Sequence, residues 1–294
     1  MLNIAPFVVP ILLSAVALGF YDIAKKSSVN GNAVMPALFF STLSGAILFT
    51  AIAALNGTLA DAVFCSAKEY LLLWGKAILV GTSWICSYYA LRELPITIAA
   101  PIRASSPLWT LLGATLLYRE CPSRYQAAGM AMIFIGYVFF TLFGKKEGFR
   151  PTSRGMVMIL LATLLGSSST LYDKYLLGVL AIPRGAVQFH FCVDSALFTG
   201  VVALLLLRGK DSPKFVWRWS IPATGLLVVL SDYFYFKAVS TPGAAISILA
   251  MLRRCNVFIP FLYGCFFWRE VNRIRKMAAL IVILLGAALL ALTR

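Results

Sequence analysis

Histidine and acidic residues are scarce in this chain of 294 residues. It contains one histidine and eleven aspartates and glutamates in all, and charged residues make up 13% of it. No close pair among its six cysteines has the spacing of a zinc site or a redox motif. A nucleophile elbow, a phosphate-binding loop and an HExxH motif are also missing. These absences exclude the usual hydrolase, metal and haem sites, so we expect no enzymatic activity and no cofactor.

Long polar stretches are missing too, because 61% of the residues are hydrophobic and the mean hydropathy is +0.87. That composition is too apolar for a soluble domain. A membrane core of about 30 Å requires about 20 helical residues, and apolar runs of that length recur along the whole chain. We predict an all-α, polytopic membrane protein with ten transmembrane helices, at about residues 4–26, 33–55, 70–91, 96–117, 124–143, 155–180, 186–207, 219–239, 244–267 and 275–292.

Basic residues outnumber acidic ones, which gives a net charge of +15. In a multi-pass membrane protein such an excess sets topology and contacts anionic lipids, so we expect lipid contacts and no nucleic-acid partner. Most of the loop lysines and arginines follow helices 1, 3, 5, 7 and 9. The positive-inside rule then places both termini outside the cytoplasm, in a protein of the cytoplasmic (inner) membrane.

Two stretches of the chain resemble each other in residue type and spacing. Arg103 precedes Glu120 by 17 residues, and Arg253 precedes Glu270 by the same 17. A glycine follows each glutamate by 16 residues. The chain therefore contains a duplication, which we place as a first five-helix repeat at 1–146, a polar linker at 147–154 and a second five-helix repeat at 155–294. Because five is an odd number, the second repeat enters the membrane inverted, as in many transporters.

Charged residues inside the predicted spans are candidates for a binding site, since a charge at the bilayer centre costs at least about 2.5–3.5 kcal/mol. Arg103 and Arg253 occupy equivalent positions in helices 4 and 9. Two guanidinium groups facing a central cavity suit a carboxylate or a phosphate. The alternative is that Asp22, Asp173 or Asp232 neutralises each arginine and only stabilises the bundle.

Acids and aromatic residues complete the candidate site. The acids would meet a positive group of the substrate or a coupling proton, or else pair with basic residues of the bundle. The aromatic residues would line the pore, or else pack between helices. The candidates are Tyr21, Asp22, Tyr88, Trp84, Tyr172, Asp173, Asp232 and Tyr235. His190 and Asp194 lie four residues apart on one helix face, and form either a hydrogen-bonded pair or a proton relay.

The chain resembles the EamA-type ten-helix members of the drug/metabolite transporter superfamily. The resemblance is carried by the duplication, by Ala104-Ser105-Ser106-Pro107 leading to Tyr118-Arg119-Glu120, and by the equivalent Trp268-Arg269-Glu270. It implies a central cavity formed by helices of both halves, including helices 1, 3, 4, 6, 8 and 9. Similar proteins move amino acids, choline, sugars, nucleotide precursors or drugs. Their termini are often cytoplasmic, unlike those predicted from the charge distribution here.

The sequence therefore predicts a secondary active transporter. Its substrate would be a small polar metabolite, zwitterionic or anionic and amino-acid-like, moved by alternating access with or without proton coupling. The protein would act as a monomer or homodimer among membrane lipids. The alternative is a flippase or accessory protein that handles a phosphate-bearing lipid or lipid-linked headgroup.

Overall fold

A computed structural model describes residues 5–93, 102–103, 105–142, 154–206, 214–259, 263 and 273–292. Every regular element in these ranges is a helix, which confirms the all-α prediction. The helices are α1 (Val8–Val29), α2 (Val34–Leu55), α3 (Leu59–Val63), α4 (Ala67–Glu93), α5 (Ser106–Tyr118), α6 (Arg124–Leu142), α7 (Arg154–Lys174), α8 (Arg184–Leu206), α9 (Ser220–Val239), α10 (Ile246–Arg253) and α11 (Arg273–Leu292). A π-helix, Tyr175–Val179, continues α7, and a 3₁₀ turn, Arg254–Val257, continues α10.

Five of the described helices have the length and hydropathy of a membrane span. They are α1, α2, most of α4, α7 with its π-helical extension, and α8, with 22 to 26 residues each. At about 1.5 Å per residue, each is longer than the membrane core of about 30 Å. The protein is therefore a multi-pass membrane protein, as its composition predicts.

The helix boundaries differ from the sequence prediction at three places. The short helix α3 was not predicted; it follows the Asn56-Gly57 turn and packs against α8. The fourth predicted helix is described from Ser106, where Pro107 fits the first turn because its missing N–H has no helical partner there. The ninth is described as α10, its 3₁₀ turn and helical residues at 258–259 and 263. Residues 96–101 and 104 of the fourth predicted helix, most of 260–267 of the ninth, and the predicted linker up to residue 153 lie outside the described residues.

The helices pack in pairs that repeat across the two halves of the chain. In the predicted duplication, α1 corresponds to α7 and α4 corresponds to α9. In the structure α1 lies along α9, and α7 lies along α4, so the two pairs are equivalent. Two further pairs, α2 with α8 and α6 with α11, each join helices that correspond to each other in the two predicted repeats. This pattern is the one expected when two copies of a five-helix unit pack against each other.

Glycine allows the closest of these contacts, between α2 and α9. A Cβ atom on Gly225 would lie 2.1 Å from the Ser41 carbonyl oxygen and 2.8 Å from the Gly45 amide nitrogen. The two backbones therefore touch directly, as small residues allow in membrane helix pairs. Helices α6 and α11 meet in the same way at Gly136 and Gly286, where added Cβ atoms would lie 2.7–2.8 Å from backbone oxygens.

We expect Gly225→Ala to destabilise the folded protein by about 1–3 kcal/mol, because overpacking must push α2 and α9 apart. Thermal unfolding of the detergent-solubilised protein measures the change. Gly185→Ala is the matched control, since a Cβ atom there has no neighbour within 4 Å. Equal melting temperatures for the two variants would contradict the close contact.

Candidate functional site

A cavity of about 210 Å³ lies between the two halves of the bundle. Its wall is formed by α1, α4, α5, α7, α9 and α10, with Phe191 from α8. These six helices are those that the family resemblance implies. At roughly 30 Å³ per water molecule, the space holds about seven waters or a small metabolite.

Positive charge predominates on the cavity wall. Five basic side chains line it and only two carboxylates do, namely Lys25, Lys76, Arg103, Arg253 and Arg254 against Asp173 and Asp232. Because water and protein partners must offset charges held inside a membrane protein, the pairing of these groups decides what the cavity attracts.

Lys76 and Asp173 form an ion pair between α4 and α7. The two side chains are 2% and 5% exposed, so the pair is almost dry. The Lys76 ammonium also lies 4.7 Å from the ring centre of Phe191 and 5.1 Å from that of Phe236, within cation–π range. This pair is neutral overall and links the two halves of the bundle at the cavity wall.

Arg253 is paired as well. Its Nη2 atom donates to Asp232 Oδ1 at 2.6 Å and to Ser231 Oγ at 3.2 Å, and its guanidinium carbon lies 4.2 Å from the ring centre of Tyr235. The Nε atom is buried without a hydrogen-bond partner among the described residues. The sequence allowed Arg253 either to bind a substrate or to be neutralised by an aspartate. The structure shows it paired with Asp232.

Arg103 and Lys25 differ from Lys76 and Arg253. In the part of the chain that the structure describes, no carboxylate oxygen lies within 4.0 Å of either cation. Lys25 is 5% exposed, and its ammonium lies 4.2 Å from the ring centre of Tyr88 and 5.6 Å from that of Tyr21. Asp22, the acid nearest in sequence, instead accepts a hydrogen bond from Asn256 Nδ2 at 2.6 Å. Among the described residues, these two cations of the cavity wall therefore form no ion pair with a carboxylate.

At the end of the cavity where α5 and α7 finish is a group of contacts that we name the Glu120 clasp: Glu120, Lys174, Ile246 and Ser247. Glu120 accepts hydrogen bonds from the Ile246 amide at 2.9 Å, the Ser247 amide at 3.2 Å and the Ser247 hydroxyl at 2.7 Å. It also forms an ion pair with Lys174. The clasp therefore joins the end of α5, the end of α7 and the start of α10.

The bonding of Glu120 offsets the cost of its burial. Burial alone raises the pKa of this carboxyl, but the hydrogen bonds from Lys174, Ser247 and the two amides outweigh it and lower the pKa below its ordinary value. The left-handed backbone of Arg119, with φ of 54°, ends α5 and turns the chain so that Glu120 reaches α10. The carboxylate is therefore charged at neutral pH and holds the clasp closed.

Away from the clasp, the cavity extends toward the opposite end of the bundle. Its wall runs from Lys76 to Ser87 along α4 and from Asp173 back to Ala162 along α7. Lys25 lies near the end of α1 at that same side. The Glu120 clasp thus lies where α7 ends, and the cavity extends along α4 and α7 toward the side where α1 ends.

Comparison with known proteins identifies the family. Residues 6–142 match the model of the EamA-like transporter family. The first half of the chain belongs to this family. A solved crystal structure is similar to 96% of the chain over 93% of its own length, with a TM-score of 0.74 and 17% identity, which shows a common fold. No curated protein matches the sequence.

Membership of the EamA-like transporter family establishes the general activity. Its members are polytopic, non-enzymatic membrane proteins that transport small molecules. The match ends with α6. The second half of this EamA-like protein shares its fold with the solved structure. The multi-pass architecture and the general function predicted from the sequence are both confirmed.

Seven of the ten predicted site residues of this EamA-like transporter line the cavity: Tyr21, Trp84, Arg103, Asp173, Asp232, Tyr235 and Arg253. The other three lie behind the wall. Tyr88 contacts Lys25, Asp22 bonds Asn256, and the Tyr172 hydroxyl donates to the Leu72 carbonyl at 3.1 Å. These three positions support the cavity from outside it.

Two basic residues on the cavity wall were missing from the predicted site. Lys25 falls within the first predicted span, 4–26, and Lys76 within the third, 70–91, but neither was assigned to the site. The structure places Lys25 inside α1, which continues to Val29, and both lysines on the cavity wall. The signal that identifies both is a lysine within an apolar helix, where a charge needs a partner or a cavity.

His190 lies outside the cavity wall, between α8 and the segment after α3. Its Nδ1 atom is 3.6 Å from Asp194 Oδ2, and its Nε2 atom is 3.2 Å from the Val63 carbonyl oxygen and 3.5 Å from Cys65 Sγ. Over the described ranges, no group of three His, Cys, Asp or Glu side chains has the arrangement of a metal site. The contacts of His190 with Val63 and Cys65 thus join α8 to the end of α3 and the segment that follows it.

Proposed function

We propose that this protein transports a small organic anion by alternating access, with Arg103 and Lys25 as the residues that bind its negative group. The observation that carries the proposal is that these two cations have no carboxylate partner in the described structure, while Asp173 and Asp232 already have basic partners. We therefore expect an anion to bind this site more tightly than a zwitterion. The amino group of a zwitterion would compete for carboxylates that already form ion pairs.

Alternating access is supported by the arrangement of contacts around the cavity. The Glu120 clasp closes one end, and the binding space extends to the other. Two inverted repeats, at 1–146 and 155–294 with the linker 147–154 between them, would provide two nearly equivalent packings. The exchange of one packing for the other would open the clasp end and close the opposite end.

The proposed orientation follows from the loop charges. The end toward which the cavity extends is the end where α1 finishes and α7 begins, and the basic loops lie on this side. The positive-inside rule then makes this state open to the cytoplasm, with both termini outside, in the inner membrane. Coupling to protons is tested with the same vesicles by imposing a pH gradient.

We expect Arg103→Gln to lower the rate of anion uptake about 10- to 100-fold, because a charge-assisted hydrogen bond contributes about 1.5–3 kcal/mol. Uptake is measured in proteoliposomes with a panel of labelled carboxylates and phosphate esters, each preloaded unlabelled inside the vesicles. Lys237→Gln is the matched control, since Lys237 is an exposed cation of α9 that is absent from the cavity wall.

The outcome that would end the proposal is an Arg103→Gln protein that transports every anion of the panel at the parental rate. The flippase alternative uses the same cations to hold a lipid phosphate. Saturable binding of a polyprenyl phosphate, lost in Arg103→Gln and accompanied by no uptake of any soluble anion, would favour it over the carrier.

A further inference from the structure

Among the described residues, the cavity wall contains more cations than carboxylates. With Arg254 left aside, four basic side chains face two aspartates there, and each aspartate is already within bonding distance of one of them. Lys25 and Arg103 are the two that remain, and both lie on the same wall as Tyr21. In the empty protein, water in the cavity and the tyrosine rings beside Lys25 must stabilise these two charges.

Alternating access removes that water. When the cavity side closes, the helices that carry Lys25 and Arg103 come together, and Lys25 is already 5% exposed. An uncompensated charge within a membrane protein is expensive. We expect it to slow the return of the empty carrier about 100-fold, which corresponds to about 2.7 kcal/mol at 1.36 kcal/mol per tenfold.

A bound anion removes this barrier, because its charge replaces the water around both cations. The loaded carrier therefore changes state readily, whereas the empty carrier does so slowly. We propose that this protein is an anion exchanger, which returns across the membrane only with a second anion bound. This inference rests on the proposed transport of a small organic anion. It adds that uptake of one anion is coupled to the release of another.

The test uses the full chain in proteoliposomes with three labelled probes: succinate, lactate and glycerol 3-phosphate. Vesicles contain either the same unlabelled probe or only sucrose. For the transported probe we expect uptake into preloaded vesicles to be about 100-fold faster than into sucrose vesicles, in proportion to the slow empty return. Equal rates in the two kinds of vesicle would overturn exchange and leave anion transport standing. No uptake of any probe into either kind would overturn the proposed function, and exchange with it.

A lysine pair on α1 provides the matched variants. Lys25→Gln removes one uncompensated cation, so the empty carrier returns faster and the ratio of the two uptake rates falls about 10-fold or more. Lys26→Gln changes the exposed neighbouring lysine and keeps the parental ratio. Should Lys25→Gln fail to fold, as judged by size-exclusion chromatography, Arg103→Gln tests the same point. An unchanged ratio in a folded variant of either residue would contradict the role of these charges in exchange.

Discussion

Replacing Lys76 with methionine is expected to destabilise the protein by about 3–5 kcal/mol. The substitution leaves Asp173, 5% exposed, as a buried charge without its ion-pair partner. The Phe191 and Phe236 rings beside the ammonium cannot stabilise the remaining carboxylate, because the faces of aromatic rings are electronegative. Thermal and denaturant unfolding in detergent measure the loss of stability.

Two further variants separate the charge from the packing. Lys76→Met combined with Asp173→Leu removes both charges, and we expect it to regain most of the lost stability, because paired replacement leaves no orphaned group. Lys68→Met, at an exposed position of the same helix, should leave the melting temperature unchanged. A Lys76→Met protein as stable as the parent would show that the ion pair does not stabilise the fold.

Glu120→Gln is expected to open the clasp end of the cavity. The variant loses the ion pair with Lys174 and weakens the charged hydrogen bonds to Ile246 and Ser247. A loss of about 2 kcal/mol shifts the equilibrium roughly 30-fold toward the state open at this end. In a cysteine-free background with Thr110→Cys as reporter, a membrane-impermeant maleimide added from the clasp side should react roughly 30-fold faster.

The control for this measurement is Glu69→Gln, whose carboxylate bonds only Ser66 within its own turn. It should label at the parental rate, and a Glu120→Gln protein that does the same would refute the clasp. Acid provides a second check. Because the folded chain lowers the pKa of Glu120, the clasp is fully stable above the ordinary glutamate pKa of about 4.3 and is lost as pH falls through the lowered value. Labelling of the parent from the clasp side should therefore rise in acid, and labelling of Glu120→Gln should show no such step.

Features that depend on local sequence were predictable. Apolar runs such as those of α1 and α8 are long enough to identify a span without any knowledge of tertiary contacts. A charge within such a run, as at Arg103 or Asp232, must face a cavity or a partner, and both side chains do lie on the cavity wall. The general function was also predictable from local sequence. The predicted duplication is visible in residue spacing, and an inverted repeat is typical of transporters.

The pairing of charges was not predictable. Lys76 and Asp173 are 97 residues apart in the chain, and no periodic pattern links them. The contribution of Glu120 depends on the left-handed turn at Arg119 and on the start of α10, which meet only in three dimensions. Lys25 lies inside both the predicted span and α1, but its position near the helix end gave no sign that its side chain faces the cavity. Which cations remain for a substrate is therefore a property of the packed bundle.

The backbone contact between Ser41 and Gly225 limits how α9 can move. With no side chain between them, α2 and α9 have no layer of rotamers to absorb sliding, so we expect the two helices to travel as one rigid body and to take Asp232 with them. Bending must then occur where the α-helical ladder is already interrupted, at the π-helix Tyr175–Val179 and the 3₁₀ turn Arg254–Val257. The π-helix begins two residues after Asp173 and the 3₁₀ turn directly after Arg253. The side chains that hold the bundle together would therefore also lie beside its pivots.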